Sequence, residues 1–296
     1  MLTIQRLTKK FSGGKGIFDV SFEVRKGEVF GFLGPNGAGK STTIRHIMGF
    51  MKPDSGTVTV NGLNTWREQG NVQAYVGYLP GEIAFFDGMT GKTFLDFMAK
   101  LRGMKEPGKR NRLIERLQFD VNTPIRKMSK GMKQKVGLVA AFMHDPELII
   151  LDEPTSGLDP LMQKVFIELV LEEKARGTTF LMSSHSFPEI ERTCDRAAII
   201  KDGGIVAVKD IHELQSMQRK LFEVTFETPA EARAFAESGL PVESIEGNRA
   251  RVAVQGNYDL FAAETAKRKV RNIDTFTQNL EDVFMNYYDR KEATRT

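Results

Sequence analysis

The 296-residue sequence predicts an α/β protein built on a mainly parallel sheet, followed by a small α+β domain. Up to about residue 215, short apolar segments of strand length alternate with longer segments of helical pattern. This alternation is typical of a parallel sheet covered on both faces. A glycine-rich segment at 34–39 separates a strand from a helix, and a second series of short elements begins near Lys220. Together these observations predict two domains, 1–215 and 220–296.

The first 80 residues are predicted to contain strands, turns and one helix. Alternating or continuous apolar residues predict four strands, at 2–4, 20–24, 29–33 and 57–60. The helix is expected at 40–50, directly after the glycine-rich segment. Turn-forming residues bound the fourth strand on both sides, at 53–56 and 61–62.

Residues 90–143 are predicted to be mostly helical, with Thr90 as the N-cap of the first helix. Strands and helices then alternate again, and three further strands are expected at 148–151, 178–183 and 197–201. A helix is predicted between the first two of these strands, at 160–175, because Gly177 is a typical helix stop.

The second domain is predicted to follow the order β-α-β-β-α-β-α, which favours a split βαβ core. Phe222, Val224 and Phe226 alternate along its first strand, and Thr228 with Pro229 favours a helix start. The remaining elements are a hairpin of 242–246 and 250–254, a helix at about 258–269, a weak strand at about 270–276 and a last helix at 279–291.

Composition excludes several classes of protein. With 41% apolar and 27% charged residues, the chain is neither disordered nor collagen-like. Its longest apolar stretch has eight residues, at 136–143, whereas a membrane span requires about 20. A single cysteine, Cys194, excludes an internal disulfide and a cysteine-cluster metal site. We therefore expect a soluble protein of the reducing cytosol, without a signal peptide.

The formal net charge of +4 is unevenly distributed. Residues 100–135 contain twelve basic and three acidic residues. This excess suits an anionic surface or nucleotide phosphates, although a solvated helical face explains it equally well. Residues 220–296 contain 11 basic and 13 acidic residues, so this part offers no basic footprint for nucleic acid.

The strongest motif is the glycine-rich segment, which matches G-x-x-x-x-G-K-[ST] between a predicted strand and a predicted helix. It consists of Gly34, Pro35, Asn36, Gly37, Ala38, Gly39, Lys40, Ser41 and Thr42. Glycines let backbone N–H groups wrap a triphosphate closely, and the helix start directs its free N–H groups to the same phosphates. Lys40 would neutralise the β and γ oxygens, and Ser41 would ligate Mg²⁺. The motif predicts a P-loop NTPase fold that binds a nucleoside triphosphate and Mg²⁺.

Four further segments, all in family order, resemble motifs of ATP-binding cassette (ABC) proteins. They are 128–134, similar to the LSGGQ signature; 148–153, similar to the Walker B strand with its glutamate; 156–159, similar to the D-loop; and His185, similar to the switch histidine. The resemblance covers 1–215 and implies a RecA-like core with a β subdomain and a helical insert at about 82–139. The tail segment 280–284 looks like part of the C-terminal domain on ATPase subunits of one bacterial exporter class.

The resemblance implies a role for the acidic pair and the histidine. Asp152 would hold Mg²⁺, usually through water, because this ion keeps much of its hydration shell. Glu153 would act as the general base toward the water that attacks the γ-phosphate. His185 would contact the γ-phosphate.

The resemblance also implies two binding contacts. Ser129 and Gly131 would reach the γ-phosphate bound by a second copy, since a helix start with a hydroxyl suits an anion. Phe11 would stack on adenine. Ordinary structural roles stay open here: Ser129 also fits a helix N-cap, and Phe11 also fits a core position.

The chain departs from the family pattern at two places. Gly81 stands where the family has its Q-loop glutamine, so the chain offers no side-chain ligand there. Water or Glu82 could fill the gap, turnover could be slow, or the segment could be a simple turn. In the signature, Met128 and Lys130 replace the leucine and the first glycine.

These features predict the ATP-hydrolysing subunit of an ABC transporter. Two copies, or one copy and a homologous cassette, would dimerise around ATP and drive a separate integral membrane permease, in export. The subunit would lie on the cytoplasmic face of the membrane, and no nucleic-acid partner is expected. Two alternatives are a soluble ABC-type ATPase acting on nucleic acid or ribosomes, and a low-turnover regulatory ATP-binding module. The former class typically carries two cassettes or a long coiled coil, and neither feature is found in this sequence.

Overall fold

The computed structural model describes residues 1–216, 220–254, 256 and 258–277. The chain divides into two compact units, one of Met1–Ile211 and one that begins at His212. Among the described residues, no helix is both long enough and apolar enough to cross a bilayer.

A six-stranded sheet forms the centre of the first unit. From edge to edge its strands are β10 (Gly204–Asp210), β9 (Arg196–Lys201), β3 (Val29–Leu33), β8 (Thr179–Ser184), β7 (Leu148–Asp152) and β6 (Val76–Leu79). All neighbouring pairs are parallel except β9 and β10. The mainly parallel sheet predicted from the sequence is therefore confirmed. Strands β3, β7 and β8 are buried along their whole length, as expected of continuous apolar strands covered on both faces.

The first unit also contains an antiparallel sheet, whose strands come from the sequence before and after the first helix. Its strands, in spatial order, are β2 (Gly16–Val24), β1 (Leu2–Lys10), β4 (Ser55–Val60) and β5 (Leu63–Asn64). This sheet shares one hydrophobic cluster with helix α1 (Lys40–Ile47) and with the central sheet. Helix α1 is shorter than the predicted 40–50, because Gly49 takes a φ of +69° that ends the helical backbone.

The first 80 residues contain a second helix, α2 (Gln69–Tyr75), which the sequence analysis did not predict. Val72 is the only described residue of this helix that is buried, so no apolar period marks it in the sequence. The prediction of a single helix in this region was wrong.

Three helices occupy the region that was predicted to be mostly helical: α3 (Gly91–Leu101), α4 (Gly108–Leu117) and α5 (Lys130–Phe142). Thr90 is the N-cap of α3, and its hydroxyl accepts a hydrogen bond from the backbone N–H of Thr93 at 3.2 Å. Two more helices complete the first unit, α6 (Pro160–Ala175) and α7 (Phe187–Thr193), and α8 (Ile211–Ser216) follows β10.

From Lys220 onward, the described residues of the second unit form one antiparallel sheet and two helices. In spatial order the strands are β12 (Val242–Glu246), β13 (Arg249–Val254), β11 (Lys220–Phe226) and β14 (Val270–Thr277). Helix α9 (Pro229–Ala236) follows β11, and α10 (Tyr258–Ala266) follows β13. Along the chain the order is β-α-β-β-α-β, a split βαβ arrangement around a core that includes Phe226 and Phe235. The helix expected at 279–291 and the tail segment 280–284 lie outside the described residues.

Candidate nucleotide-binding site

The glycine-rich loop connects β3 to α1 and packs tightly against its neighbours. A Cβ atom at Gly34 would lie 2.4 Å from the carbonyl oxygen of Ile200, and one at Gly39 would lie 2.6 Å from Ile17 Cγ2. Gly37 and Gly39 also take positive φ angles, of +83° and +112°. Glycine is the residue that adopts a positive φ, or leaves out the Cβ atom where there is no room for it, without strain.

The turn between β9 and β10 supports this loop from the side. The backbone N–H of Gly203 donates to the carbonyl of Ala38 at 3.1 Å, and the N–H of Phe18 donates to Gly203 O at 2.7 Å. One turn therefore ties the phosphate loop to β2, the strand that follows the Phe11 loop.

Lys40 lies inside the loop and is only 6% exposed. Its ammonium donates to the carbonyl oxygens of Gly34, at 2.6 Å, and Pro35, at 3.3 Å. The Nζ atom also lies 3.5 Å from Glu153 Oε1. Two neutral carbonyl oxygens are therefore the hydrogen-bond acceptors of the Lys40 ammonium inside the loop. Charged phosphate oxygens would be stronger acceptors than these carbonyls.

An open cavity of about 300 Å³ lies along the loop. Its lining consists of Phe11, Lys15, Gly16, Pro35, Asn36, Gly37, Gly39, Lys40, Ser41, Thr42 and Glu153. Of the predicted loop residues, Gly34 and Ala38 lie behind this surface. Phe11 is 41% exposed, so its ring has a free surface beside the loop. Lys15 and Gly16 were not predicted from the sequence, where their only signal is their position shortly after Phe11.

The acidic pair is placed by the end of β7. Asp152 is the last residue of the strand and is buried, and the Ser183 hydroxyl on neighbouring β8 donates a hydrogen bond to its Oδ1. Glu153 follows with a φ of +51°, a conformation that costs an L-residue about 1–2 kcal/mol. Its backbone N–H donates to Ser183 O at 3.2 Å. The chain therefore turns sharply at Glu153, as is common where a fold directs a side chain into a functional site.

Glu153 lies between the two other predicted reactive residues. Its Oε1 faces Lys40, and its Oε2 lies 2.6 Å from Nδ1 of His185. Oε1 is buried and makes no hydrogen bond within the described residues. The structure thus brings together Lys40, Glu153 and His185, although the parent segments are far apart in sequence.

Gly81 lies directly beside the predicted metal-binding carboxylate. A Cβ atom at this position would lie 3.3 Å from Asp152 Oδ2. A side chain here would therefore press on Asp152, and glycine leaves the carboxylate oxygen free. Burial, reinforced by the charge of Asp152, raises the pKa of nearby Tyr78 to about 12, so this hydroxyl stays protonated.

The residues around Asp152 fit a magnesium site of the kind completed by phosphate and water. Within the part of the chain that the structure describes, no three His, Cys, Asp or Glu side chains form a metal cluster. One buried carboxylate and the Ser41 hydroxyl in the cavity are instead available. Mg²⁺ usually takes one or two protein oxygens and fills its other positions with substrate phosphates and water.

The signature segment lies elsewhere, at the start of α5. Ser129 is the N-cap, and its hydroxyl accepts from the N–H of Met132 at 3.2 Å. A Cβ atom at Gly131 would lie 2.6 Å from Gly157 O, and Lys130 Nζ donates to Ser156 Oγ at 2.8 Å. The signature therefore packs on the D-loop of its own chain, and neither Ser129 nor Gly131 belongs to the cavity lining.

Gln134, the last residue of the segment 128–134, extends this contact. Its amide donates to the carbonyl oxygens of Pro154, at 2.8 Å, and Glu153, at 3.3 Å. Ser183 was also missed, because its contact with Asp152 depends on β7 and β8 being neighbours. The signature segment is thus attached to the residues that directly follow Asp152.

A strand, a glycine-rich loop with a buried lysine, and a helix start beside an open cavity define the class: a P-loop nucleotide-binding protein. The family model described as ABC transporter matches residues 17–156. The linearmycin resistance ATP-binding protein LnrL of Bacillus subtilis (strain 168) is 37% identical over 213 residues, 70% of this chain and 68% of that protein. The chain belongs to the ABC transporter family as an ATP-binding subunit, and such subunits bind and hydrolyse ATP.

Two further similarities cover different fractions of the chain. The ABC transporter ATP-binding protein YtrB of the same organism is 30% identical over 292 residues, 98% of this chain and 99% of that protein. A solved dimeric structure of a bacterial ABC transporter cassette covers 71% of this chain and 99% of its own, with 20% identity and a TM-score of 0.65, and shows the same fold. These comparisons do not support a nucleic-acid ATPase or a regulatory module.

Proposed function

We propose that two copies of this chain close around ATP and Mg²⁺ and thereby drive a separate membrane permease, in export. In this proposal 1–215 is the cassette, its helical insert at about 82–139 docks the permease, and 220–296 is an accessory domain. A homologous cassette could replace the second copy without changing the chemistry.

The observation that carries the proposal is that the cavity lining includes Lys40, Ser41 and Glu153 but not Ser129 or Gly131. In this proposal the two groups are separate half-sites. Ser129 is exposed at the start of α5, where a hydroxyl and a helix N-terminus suit an anion. A second copy would supply this half to the nucleotide held by the first.

ATP binding would rearrange the charges around Lys40. The β and γ oxygens would replace the carbonyls of Gly34 and Pro35 as partners of its ammonium. Glu153 Oε1, which makes no hydrogen bond within the described residues, would then accept a proton from the attacking water. The 2.6 Å contact with His185 holds the other carboxylate oxygen in place. Mg²⁺, held by Ser41 and through water by Asp152, would neutralise developing charge on the phosphates.

The transport part of the proposal is supported by two observations. Residues 100–135, within the insert, carry the basic excess that suits anionic headgroups. The relative LnrL is named for resistance to linearmycin, which favours export.

The experiment compares the purified chain with its Glu153→Gln variant, and with Glu115→Gln as a control at an exposed helix position. Mg²⁺-ATPase activity should fall by about 100-fold or more in Glu153→Gln, because the general base is lost, and stay unchanged in Glu115→Gln. Light scattering at saturating MgATP should show a Glu153→Gln dimer. Equal ATPase rates would remove the general-base assignment, and a strictly monomeric variant would remove the ATP sandwich.

A further inference from the structure

We propose that Glu189 is a positioning residue for ATP hydrolysis, which fixes the loop of His185 against the segment that follows Glu153. The inference rests on the roles proposed above for His185 and Glu153. Nothing in the sequence motifs assigns a function to Glu189.

The contacts of Glu189 join two loops through one oxygen. Its Oε2 accepts a hydrogen bond from the Ser184 hydroxyl at 2.7 Å and from the Thr155 hydroxyl at 3.2 Å. Ser184 directly precedes His185, and Thr155 lies two residues after Glu153. One carboxylate thus holds the two loops whose side chains meet 2.6 Å apart.

The turn that carries His185 depends on the orientation of the Ser184 hydroxyl. The N–H of Ser186 donates to Ser184 Oγ at 2.9 Å, while Ser184 donates to Glu189. Since a hydroxyl has one proton, its donation to Glu189 directs a lone pair to Ser186. His185 itself is mostly exposed, so few side-chain contacts of its own hold the ring in place.

Burying the carboxyl group of Glu189 carries a desolvation cost. Glu189 is 6% exposed, and its Oε1 makes no hydrogen bond within the described residues. Burial raises its pKa to about 7, and the charge of Glu153 adds to the rise, whereas the Ser184 and Thr155 hydrogen bonds and the charge of His185 oppose it. An apolar residue would avoid this desolvation cost, but it could not accept the two hydroxyl protons.

A cavity of about 610 Å³ lies beside Glu189 and gives its loops room to move. Thr155, Ser156, His185 and Glu189 belong to its lining, as do the basic residues Lys164 and Arg192. With open space on this side, the hydrogen bonds of Glu189 are the contacts that hold the Thr155 and Ser184 hydroxyls together. Loss of the carboxylate should therefore misplace His185, and with it the His185–Glu153 contact, without closing or filling the ATP cavity, whose lining lacks Glu189.

The test measures ATP binding and turnover separately in Glu189→Ala and Glu189→Gln, with Glu191→Ala on the same helix as a control. Glu189→Ala should lower kcat about tenfold or more, while the Kd for ATP changes less than about twofold. Glu189→Gln retains an oxygen that accepts both hydroxyl protons and should stay within about threefold of the unmodified chain. Glu191→Ala should leave both quantities unchanged.

Two more variants distinguish positioning from general damage. Ser184→Ala removes the donor that orients the turn, and should reproduce the kcat loss if Glu189→Ala does not fold. In a His185→Ala background, Glu189→Ala should cause little further loss, because both changes act through the same side chain. A folded Glu189→Ala variant with normal kcat, an equal loss of ATP affinity, or full additivity with His185→Ala would overturn the inference. Activity retained by Glu153→Gln would instead contradict the proposed function.

Discussion

The phosphate-loop half and the signature half of this cassette are constructed differently. In the phosphate-loop half, Lys40 is buried, and the side chains of Lys40 and His185 both contact Glu153 of the same chain. In the signature half, Ser129 and Lys130 are exposed, and their described hydrogen bonds stay within α5 and the D-loop. In the proposed function, the first half binds and hydrolyses ATP, whereas the second presents a helix start to the opposite subunit.

The two halves nevertheless share one segment. Residues 153–157 receive the amide of Gln134, the ammonium of Lys130 and, through Thr155, the carboxylate of Glu189. A displacement of the signature segment would therefore be transmitted to Glu153 through the backbone of residues 153–157. From this difference we expect ATP binding to depend on the phosphate-loop half alone, which includes Phe11, whereas turnover depends on both halves.

Gly131→Ala should separate these dependences most clearly. The new Cβ would lie 2.6 Å from Gly157 O, so the D-loop must move, and kcat should fall about 10- to 100-fold with ATP affinity unchanged. Steady-state ATPase assays and equilibrium ATP binding measure the two quantities. Gly108→Ala is the matched control, since the nearest atom to its Cβ would be an arginine nitrogen at 3.6 Å. A parallel loss of affinity would show that the halves are not separate in binding.

Phe11→Ala should lower the affinity for ATP and leave kcat nearly unchanged, with a smaller effect than that of Gly131→Ala on kcat. Loss of a stacked aromatic ring costs about 1–3 kcal/mol per base, so the Kd for ATP should rise about tenfold while kcat at saturation stays near normal. Phe11→Tyr should restore the affinity, because the ring is retained. An unchanged Kd in Phe11→Ala would show that the exposed ring does not contact adenine.

The parallel sheet and the phosphate loop could be predicted because their signals are local. Continuous apolar strands and a glycine-rich loop before Lys40 are readable in short windows of sequence. Helix α2 was missed because its apolar face is almost absent, and α1 was drawn too long across Gly49. The presence of a helix or strand could be predicted from the periodicity of its apolar residues. The residue at which it ends depended on the backbone conformation of single residues.

The reactive residues could be named from motifs, but their arrangement could not. The positive φ of Glu153 and the hydrogen bond from Ser183 to Asp152 follow from the pairing of β7 with β8, which no local pattern encodes. The same is true of Glu189, whose partners Thr155 and Ser184 lie on two different loops. The sequence showed that position 81 lacks a side chain, but only the structure showed that Gly81 lies beside Asp152.

The most direct test of a shared pocket mixes two inactive copies. Lys40→Ala removes the ammonium from the phosphate loop, while Ser129→Asp keeps an N-cap side chain at α5 but repels phosphate. Each variant alone should hydrolyse ATP at a small fraction of the normal rate. Random pairing makes about half of the dimers mixed, each with one intact pocket, so an equal mixture should regain about a quarter of the activity. A mixture no more active than its separate components would contradict a pocket completed by a second copy.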